Sequence, residues 1–211
     1  MMKVMRTRLS VLLGLMCMLS FSALDASAQN ATKILDTAVS NFKSAGGVKI
    51  TYAYTGNGTS GNGTIKLSSQ KFVNDMGDMV VWFNGKTLWT LVKSNEEVTV
   101  TNPTSKEIAK MNPYAFVSLY KKGYKASVTG KSTHDYYEVL LTPSKSSSAF
   151  KSILLRINRF SNQLSYVKMT ATDGNNVEIT VKSYAKNQKY SDATFTFNEN
   201  NYPDVDVIDL R

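Results

Sequence analysis

The sequence predicts a mainly β protein of the α+β kind, with about eleven antiparallel strands in one curled sheet and a helical lid over an apolar hollow. Three observations predict it. From Lys49 onward, short alternating runs recur about every ten residues with turn signals between them, the spacing of a meander and not of βαβ units. A twisted sheet of that size tends to curl rather than lie flat. Two helical patterns, each with one apolar stripe, interrupt the strands and are too short to form a bundle of their own.

The most apolar strands lie at Val80-Val-Trp-Phe-Asn-Gly-Lys-Thr-Leu-Trp-Thr-Leu-Val92. Asn84-Gly85 reads as a two-residue hairpin turn, because both residues tolerate positive φ. That register sets Trp82 opposite Thr87, Val81 opposite Leu88 and Val80 opposite Trp89. A second turn at Ser94-Asn95 sets Leu91 opposite Val98 and Trp89 opposite Val100. Directly opposed residues share a face, so Val80, Trp82, Trp89, Leu91, Val98 and Val100 form one continuous apolar face. This face is expected to be the cavity floor, with both tryptophans turned toward the lid.

The remaining elements follow in order. Ala31 to Phe42 carries Ile34, Leu35, Ala38, Val39 and Phe42 at helical spacing, with Asn30 or Thr32 available as N-cap and Gly46-Gly47 as stop. Lys49 to Tyr54 alternates as a strand. The repeated Gly-Asn-Gly-Thr at 56–59 and 61–64 lacks the helix start and Gly-Lys-Ser/Thr of a phosphate loop, so it reads as a loose connection before Thr64–Leu67. Gln70 to Asn74 precedes the apolar hairpin. Thr104 to Lys110 is a marginal helical turn, and Asn112-Pro113 opens a second helix through Tyr120, closed by Gly123. Strands are expected again at 125–129, 136–142, 152–157, 164–171, 176–184, 193–197 and 205–208. Ile34, Leu35, Phe116 and Val117 are the expected lid residues, and Phe72 is expected near the mouth.

The first 28 residues read as a cleavable export signal. Lys3, Arg6 and Arg8 precede the apolar run Leu9–Leu24, and Ala26-Ser27-Ala28 fits the cleavage pattern. A membrane anchor fits less well, since the run is short and no stop-transfer charges follow. The one cysteine, Cys17, follows Met16 rather than the small residue that lipoprotein processing needs. Residues 29–211 are then expected to form one exported domain without disulfides, of a size that supports a sizeable core. Without Lys3, Arg6, Arg8 and Asp25 of the signal the net charge of +9 falls to +7 and is dispersed, its densest patch being Lys121-Lys122. It favours weak attraction to anionic membrane surfaces over nucleic acid, which calls for a basic stripe.

Catalytic groups are sparse. His134, the sole histidine, precedes Asp135 in a polar turn and has no second histidine or cysteine to join as metal ligand or nucleophile. Glu96 and Glu97 are adjacent on a strand end and point to opposite faces. Asp75 and Asp78 flank a turn. Asp204, Asp206 and Asp209 lack the glycine and glutamate of a calcium loop. The chain reads as a non-enzyme with neither cofactor nor metal.

Asn84-Gly-Lys-Thr-Leu-Trp89, with Glu97-Val-Thr-Val100 after it, resembles the "DGKTLW … V" block of LolA-type periplasmic lipoprotein carriers. Asn112 to Leu119 is similar to that family's short "P-x-x-L/V" helix, and Tyr137 to Pro143 to its "F-x-L-x-P" strand. Lys151–Ile157, Thr194–Phe197 and Tyr202-Pro203 extend the likeness in order along the chain. The resemblance implies an open antiparallel half-barrel, its hydrophobic cavity closed by a helical lid. It further implies acyl chains of lipoproteins or other lipids as cargo, an inner-membrane release complex and an outer-membrane acceptor as partners, and a monomer. The family's Arg-Pro, ahead of a strand ending Phe-x-Trp, falls here on Ser68-Ser69, while Phe72 is kept and Asn74 replaces the tryptophan. Two alternatives stand beside the carrier. One is an exported hydrophobic-ligand sensor or interaction module with a collapsed cavity. The other is a lipid hydrolase, which needs a buried Ser or Asp near His134.

Overall fold

The computed structural model describes residue 28 and residues 30–104, 107–108, 119–145, 148 and 150–211. All but the last residue of the expected export signal, residues 1–28, and the lid residues Phe116 and Val117 lie outside the described residues. Helix α1 spans residues 30–44. Twelve strands follow among the described residues: β1 (Gly47–Gly56), β2 (Thr59–Ser68), β3 (Lys71–Asp75), β4 (Met79–Phe83), β5 (Leu88–Val92), β6 (Glu97–Thr101), β7 (Tyr124–Val128), β8 (Tyr136–Pro143), β9 (Phe150–Asn158), β10 (Leu164–Ala171), β11 (Asn176–Gln188) and β12 (Asp206–Asp209).

They form one sheet in the order β12-β6-β5-β4-β3-β2-β1-β11-β10-β9-β8-β7. Two meanders, β1 to β6 and β7 to β11, are joined where the long strands β1 and β11 pair antiparallel. All pairings are antiparallel except β12 on β6. The outermost strands β12 and β7 do not pair with each other, so the half-barrel stays open.

The curl decides which face is inside. One cluster gathers Val81, Phe83 and Leu88 from one meander with Val139, Leu141, Ile153 and Leu155 from the other, together with Ile34, Leu35 and Ala38 of α1. Only the concave side of a curled sheet brings such distant strands together. Successive strand residues point to opposite faces, and β4 shows the result: Val81 and Phe83 face inward, Val80 and Trp82 outward.

This corrects the expected floor. Val80, Trp82, Leu91 and Val98 form a separate cluster with Phe197, and Trp89 packs against it. Val100, directly opposite Trp89, shares that convex face. The two tryptophans do share a face, but it is turned away from α1. Both faces of β4 are apolar, and alternation tells which residues go together without telling which set is inside. The cover for the second set comes from residues 192–205. Phe197 and Tyr202 meet the Trp82 ring edge-on at 5.5 and 5.9 Å. The strand expected at 193–197 is accordingly replaced by a 3-10 turn over Asp192–Phe195, since this segment crosses a sheet face instead of extending an edge.

The hairpin register also differs. Trp82 pairs with Trp89 and Phe83 with Leu88, leaving a four-residue loop. Asn84 does not take positive φ; its Oδ1 accepts from the backbone N–H groups of Lys86 and Thr87, and Gly85 alone is left-handed. The offset from the expected register is two residues, so every side chain keeps its face; an offset of one would have exchanged them. The β5–β6 register is as expected, with Leu91 opposite Val98 and Trp89 opposite Val100.

The second glycine repeat is strand, not loop. Gly61 pairs with Tyr54 and Gly63 with Tyr52 across β1 and β2. A Cβ on Gly63 would lie 2.4 Å from the Tyr52 ring, and one on Gly61 2.7 Å from the Tyr54 hydroxyl. The glycines therefore give the two rings room to lie over the sheet, the arrangement in which an aromatic covers a bare backbone. Gly63→Val is expected to cost about 1–3 kcal/mol by overpacking. Gly130→Ala, where a Cβ meets nothing within 4 Å, is expected to stay within about 0.5 kcal/mol. Urea unfolding of the two variants checks the difference.

Candidate lipid cavity

Strand direction divides the concave face into two ends. At one end lie the end of α1, the start of β1 and the turns 68–71, 84–87 and 159–163. At the other lie the turns 57–58, 76–78 and 172–175. Helix α1 closes the first end. Ile34 and Leu35, two of the expected lid residues, are buried in the main cluster, and Asn41 donates to the Ser161 carbonyl oxygen in the β9–β10 turn. Phe72 is buried there too, 5.6 Å from Phe83 between ring centres, so it belongs to the filled part of the concave face and not to the mouth.

Among the described residues the second end is open. A cavity of about 480 Å³ lies there, lined by Tyr52 and Tyr54 of β1, Asn74 of β3, Val81 of β4, Thr90 of β5, Phe150 of β9, Met169 and Ala171 of β10, and Val177 and Ile179 of β11. Met76 and Met79 lie at the β3–β4 turn, and Asn57, Asp173 and Asn175 give the rim its polar groups. Three methionines in one wall suit cargo of variable shape, because the unbranched thioether side chain re-packs readily. The most deeply buried polar pair of the wall is Tyr52 with Asn74. Tyr52 donates its hydroxyl proton to Asn74 Oδ1 at 2.6 Å, both residues being buried. Burial pushes the Tyr52 hydroxyl up to about 12, so it stays a neutral donor.

None of the six expected floor residues lines this cavity. The walls come from strands whose inward residues alternate without forming a long apolar run. A usable signal existed in Tyr52-x-Tyr54 facing Gly61-x-Gly63, which marks a place where side-chain volume is withheld from one face.

A second hollow, of about 940 Å³, lies on the convex side between the sheet and residues 192–202. Trp82 and Phe197 form its apolar part, while Lys66, Asp192, Glu199, Asn198, Asn200 and Asn201 make its walls polar. It is larger but suits hydrocarbon poorly, since it would leave charged and amide groups against the chain.

The described parts of the 102–123 connection bear on the lid. A capping box opens its first helical turn: Glu107 accepts from the Thr104 N–H at 2.7 Å and hydroxyl at 2.8 Å, while the Glu107 N–H returns to Thr104 Oγ1. Ile108 and Tyr120 both pack against the concave cluster. Tyr120 donates its hydroxyl to Asp36 of α1, and Lys121 pairs with the same carboxylate at 2.7 Å. Hydrogen bonds from Lys121 first, then Tyr120, hold the Asp36 carboxyl below the usual range. A depressed carboxylate supports the fold above its unfolded pKa and loses that support only as pH falls through the lower folded value. The tie between α1 and the 119–122 turn is thus intact from neutral pH down through mild acid. Asp36→Asn should raise amide exchange in α1 at pH 7, where lowering the wild type to pH 5 should not.

His134 is exposed, 3.5 Å from Asp135 and beside the exposed ring of Phe160. Asp75 and Asp78 accept hydrogen bonds that fix turns. No cluster of His, Cys, Asp and Glu able to hold a metal occurs among the described residues. The buried Glu138 is fully engaged by Arg156 and Thr129, with Arg156 held 4.8 Å from the rings of both Tyr136 and Tyr166.

The pattern that defines the outer membrane lipoprotein carrier protein LolA family matches residues 21–175, most of the chain. The chain belongs to that family. Solved structures of low identity are also similar, and the first of them bears on the fold alone. An uncharacterized conserved protein from Thermus thermophilus is 11% identical, with 85% of this chain and 99% of that one aligned at a TM-score of 0.59. A DUF1329 family protein from Desulfovibrio piger is 10% identical over 81% and 97% of the two chains, TM-score 0.49. A LolA superfamily protein from Nitrosomonas europaea is 13% identical over 79% and 97%, TM-score 0.41. No curated protein sequence matches. The LolA pattern ends at residue 175, so β11, the covering segment 192–205 and β12 lie beyond it.

Proposed function

We propose that this LolA-family chain is a non-enzymatic periplasmic carrier. In this reading it shields the acyl chains of lipoproteins from water between an inner-membrane release complex and an outer-membrane acceptor, and residues 29–211 act as one monomeric domain after removal of the export signal. The observation that carries it is the apolar cavity at the open end of the concave face, with α1 closing the other end. Each methylene moved from water into such a cavity is worth about 0.8 kcal/mol, enough for one chain to hold cargo firmly. Release then needs a favourable empty state, and the methionine side chains can supply it by re-packing into the cavity. The sensor reading with a collapsed cavity is less well supported, because among the described residues side chains fill the α1 half of the hollow and leave the other half open. Delipidated protein incubated with vesicles carrying an acylated lipoprotein is expected to extract it in soluble 1:1 complex, and to leave the same protein anchored by a transmembrane helix behind. Failure to extract the acylated form sinks the proposal.

A further inference from the structure

We propose that the cavity selects cargo carrying a carbonyl beside its alkyl chain, an ester or amide acyl group, and that Asn74 is the residue that recognises it. This rests on the cavity being a lipid site. A carboxamide has one acceptor and two donors to satisfy. Asn74 is 7% exposed, its Oδ1 is taken by the Tyr52 hydroxyl, and its Nδ2 makes no hydrogen bond to any described residue. The side chain belongs to the cavity wall, so these donors can meet only what enters the cavity. The same lining includes Val81, Met76, Met169 and Ile179, none of which can accept a hydrogen bond of ordinary strength, and the hydroxyls of Tyr54 and Thr90, neither of which is bonded to Asn74. In the empty cavity water can reach these donors; a chain that displaces it leaves them unpaired at a cost, unless a carbonyl oxygen on the cargo pairs them. The Tyr52 bond matters as well: by occupying Oδ1 it fixes which way the amide is turned, leaving donors and not an acceptor toward the cargo.

The volume limits how much chain enters with that carbonyl. A methylene at the packing density of organic crystals takes up about 27 Å³, so the 480 Å³ cavity holds about one chain of sixteen to eighteen carbons. Cargo with several chains would seat one at a time. The shared chemistry, a carbonyl joined to one long chain, occurs as an ester in glycerolipids and as an amide in N-acylated peptides.

Displacement of N-phenyl-1-naphthylamine from the full delipidated chain tests this with three probes: 1-palmitoyl lysophosphatidylcholine, its 1-O-hexadecyl ether analogue, and an N-palmitoyl cysteinyl peptide. The wild type is expected to bind at least one carbonyl probe about five- to tenfold tighter than the ether; which carbonyl probe binds tighter identifies the source of the cargo. Asn74→Leu is expected to bring that probe down to the affinity of the ether. Should this variant fail to fold because Tyr52 loses its partner, the double variant Tyr52→Phe/Asn74→Leu removes both polar groups and makes the same comparison. Equal affinity of the wild type for the ether and both carbonyl probes overturns the role of Asn74 while leaving the carrier reading intact. No displacement by any of the three overturns the lipid cavity, and this inference with it.

Discussion

Replacing Trp82 with alanine is expected to loosen the C-terminal segment and to cost about 3–5 kcal/mol of stability, with acyl-chain capture kept. Trp82 is 8% exposed and forms the centre of the convex cluster, where Phe197 and Tyr202 meet its ring edge-on and stack on each other at 5.4 Å. These contacts, the fully buried Phe195 beside Tyr190, the Lys71–Asp192 ion pair at 2.6 Å and the β6–β12 pairing together hold residues 192–209 to the sheet. The ion pair has one fully solvated partner and contributes little, so the aromatic cluster dominates. Removing its central ring leaves a cavity that the rigid sheet beneath cannot close. Trp89→Ala, at a half-buried site on the margin, should cost clearly less. Urea unfolding gives the energies, and amide exchange at 192–209 reports the release. The variant also separates two views of the molecule. If Trp82 lined the lipid cavity, its loss would weaken capture and leave the C-terminal amides protected; on the convex face it does the opposite.

The same residue shows how far the sequence could be read. Local pairing was legible: alternation in β4, β5 and β6 is strong, and a two-residue offset at Asn84-Gly85 leaves the shared faces unchanged. What alternation lacks is a sign. Val80 and Trp82 against Val81 and Phe83 are two apolar sets on one strand, and the choice between them is made by a segment over a hundred residues later, Phe197 to Tyr202. Thr194-Phe-Thr-Phe197 alternates like a strand because it buries every second side chain, yet it does so by lying on a sheet face. The cavity walls were harder still to find. Met169, Ile179 and Phe150 come from three strands whose inward faces are unexceptional taken singly, and only the curl makes them neighbours. Two signs were nonetheless present in the sequence. Asn74 stands where the family pattern has tryptophan, and Gly61 and Gly63 withhold volume opposite Tyr54 and Tyr52. Both mark the open end of the hollow.

Filling that end should abolish capture without unfolding the chain. Val177 and Ile179 lie two apart on β11, at the edge of the main cluster, face the cavity together and are only half-buried, so larger side chains there would extend mainly into open volume. Val177→Trp/Ile179→Trp adds about 150 Å³ at interior packing density, close to a third of the space. That excludes about five methylenes from the cavity, which at about 0.8 kcal/mol each weakens binding of a sixteen-carbon chain by about 4 kcal/mol. Affinity for 1-palmitoyl lysophosphatidylcholine should therefore fall on the order of a thousandfold, while the urea midpoint stays within about 1 kcal/mol of wild type because no core contact is lost. A ten-carbon chain, short enough for the remaining space, should lose far less, and this dependence on chain length is the sign of a filled cavity as opposed to a distorted fold. Undiminished capture of the long chain by the double variant would move the site to the convex hollow beside Trp82. There Trp82→Ala, and not a change on β11, would be the variant that empties the protein of its cargo.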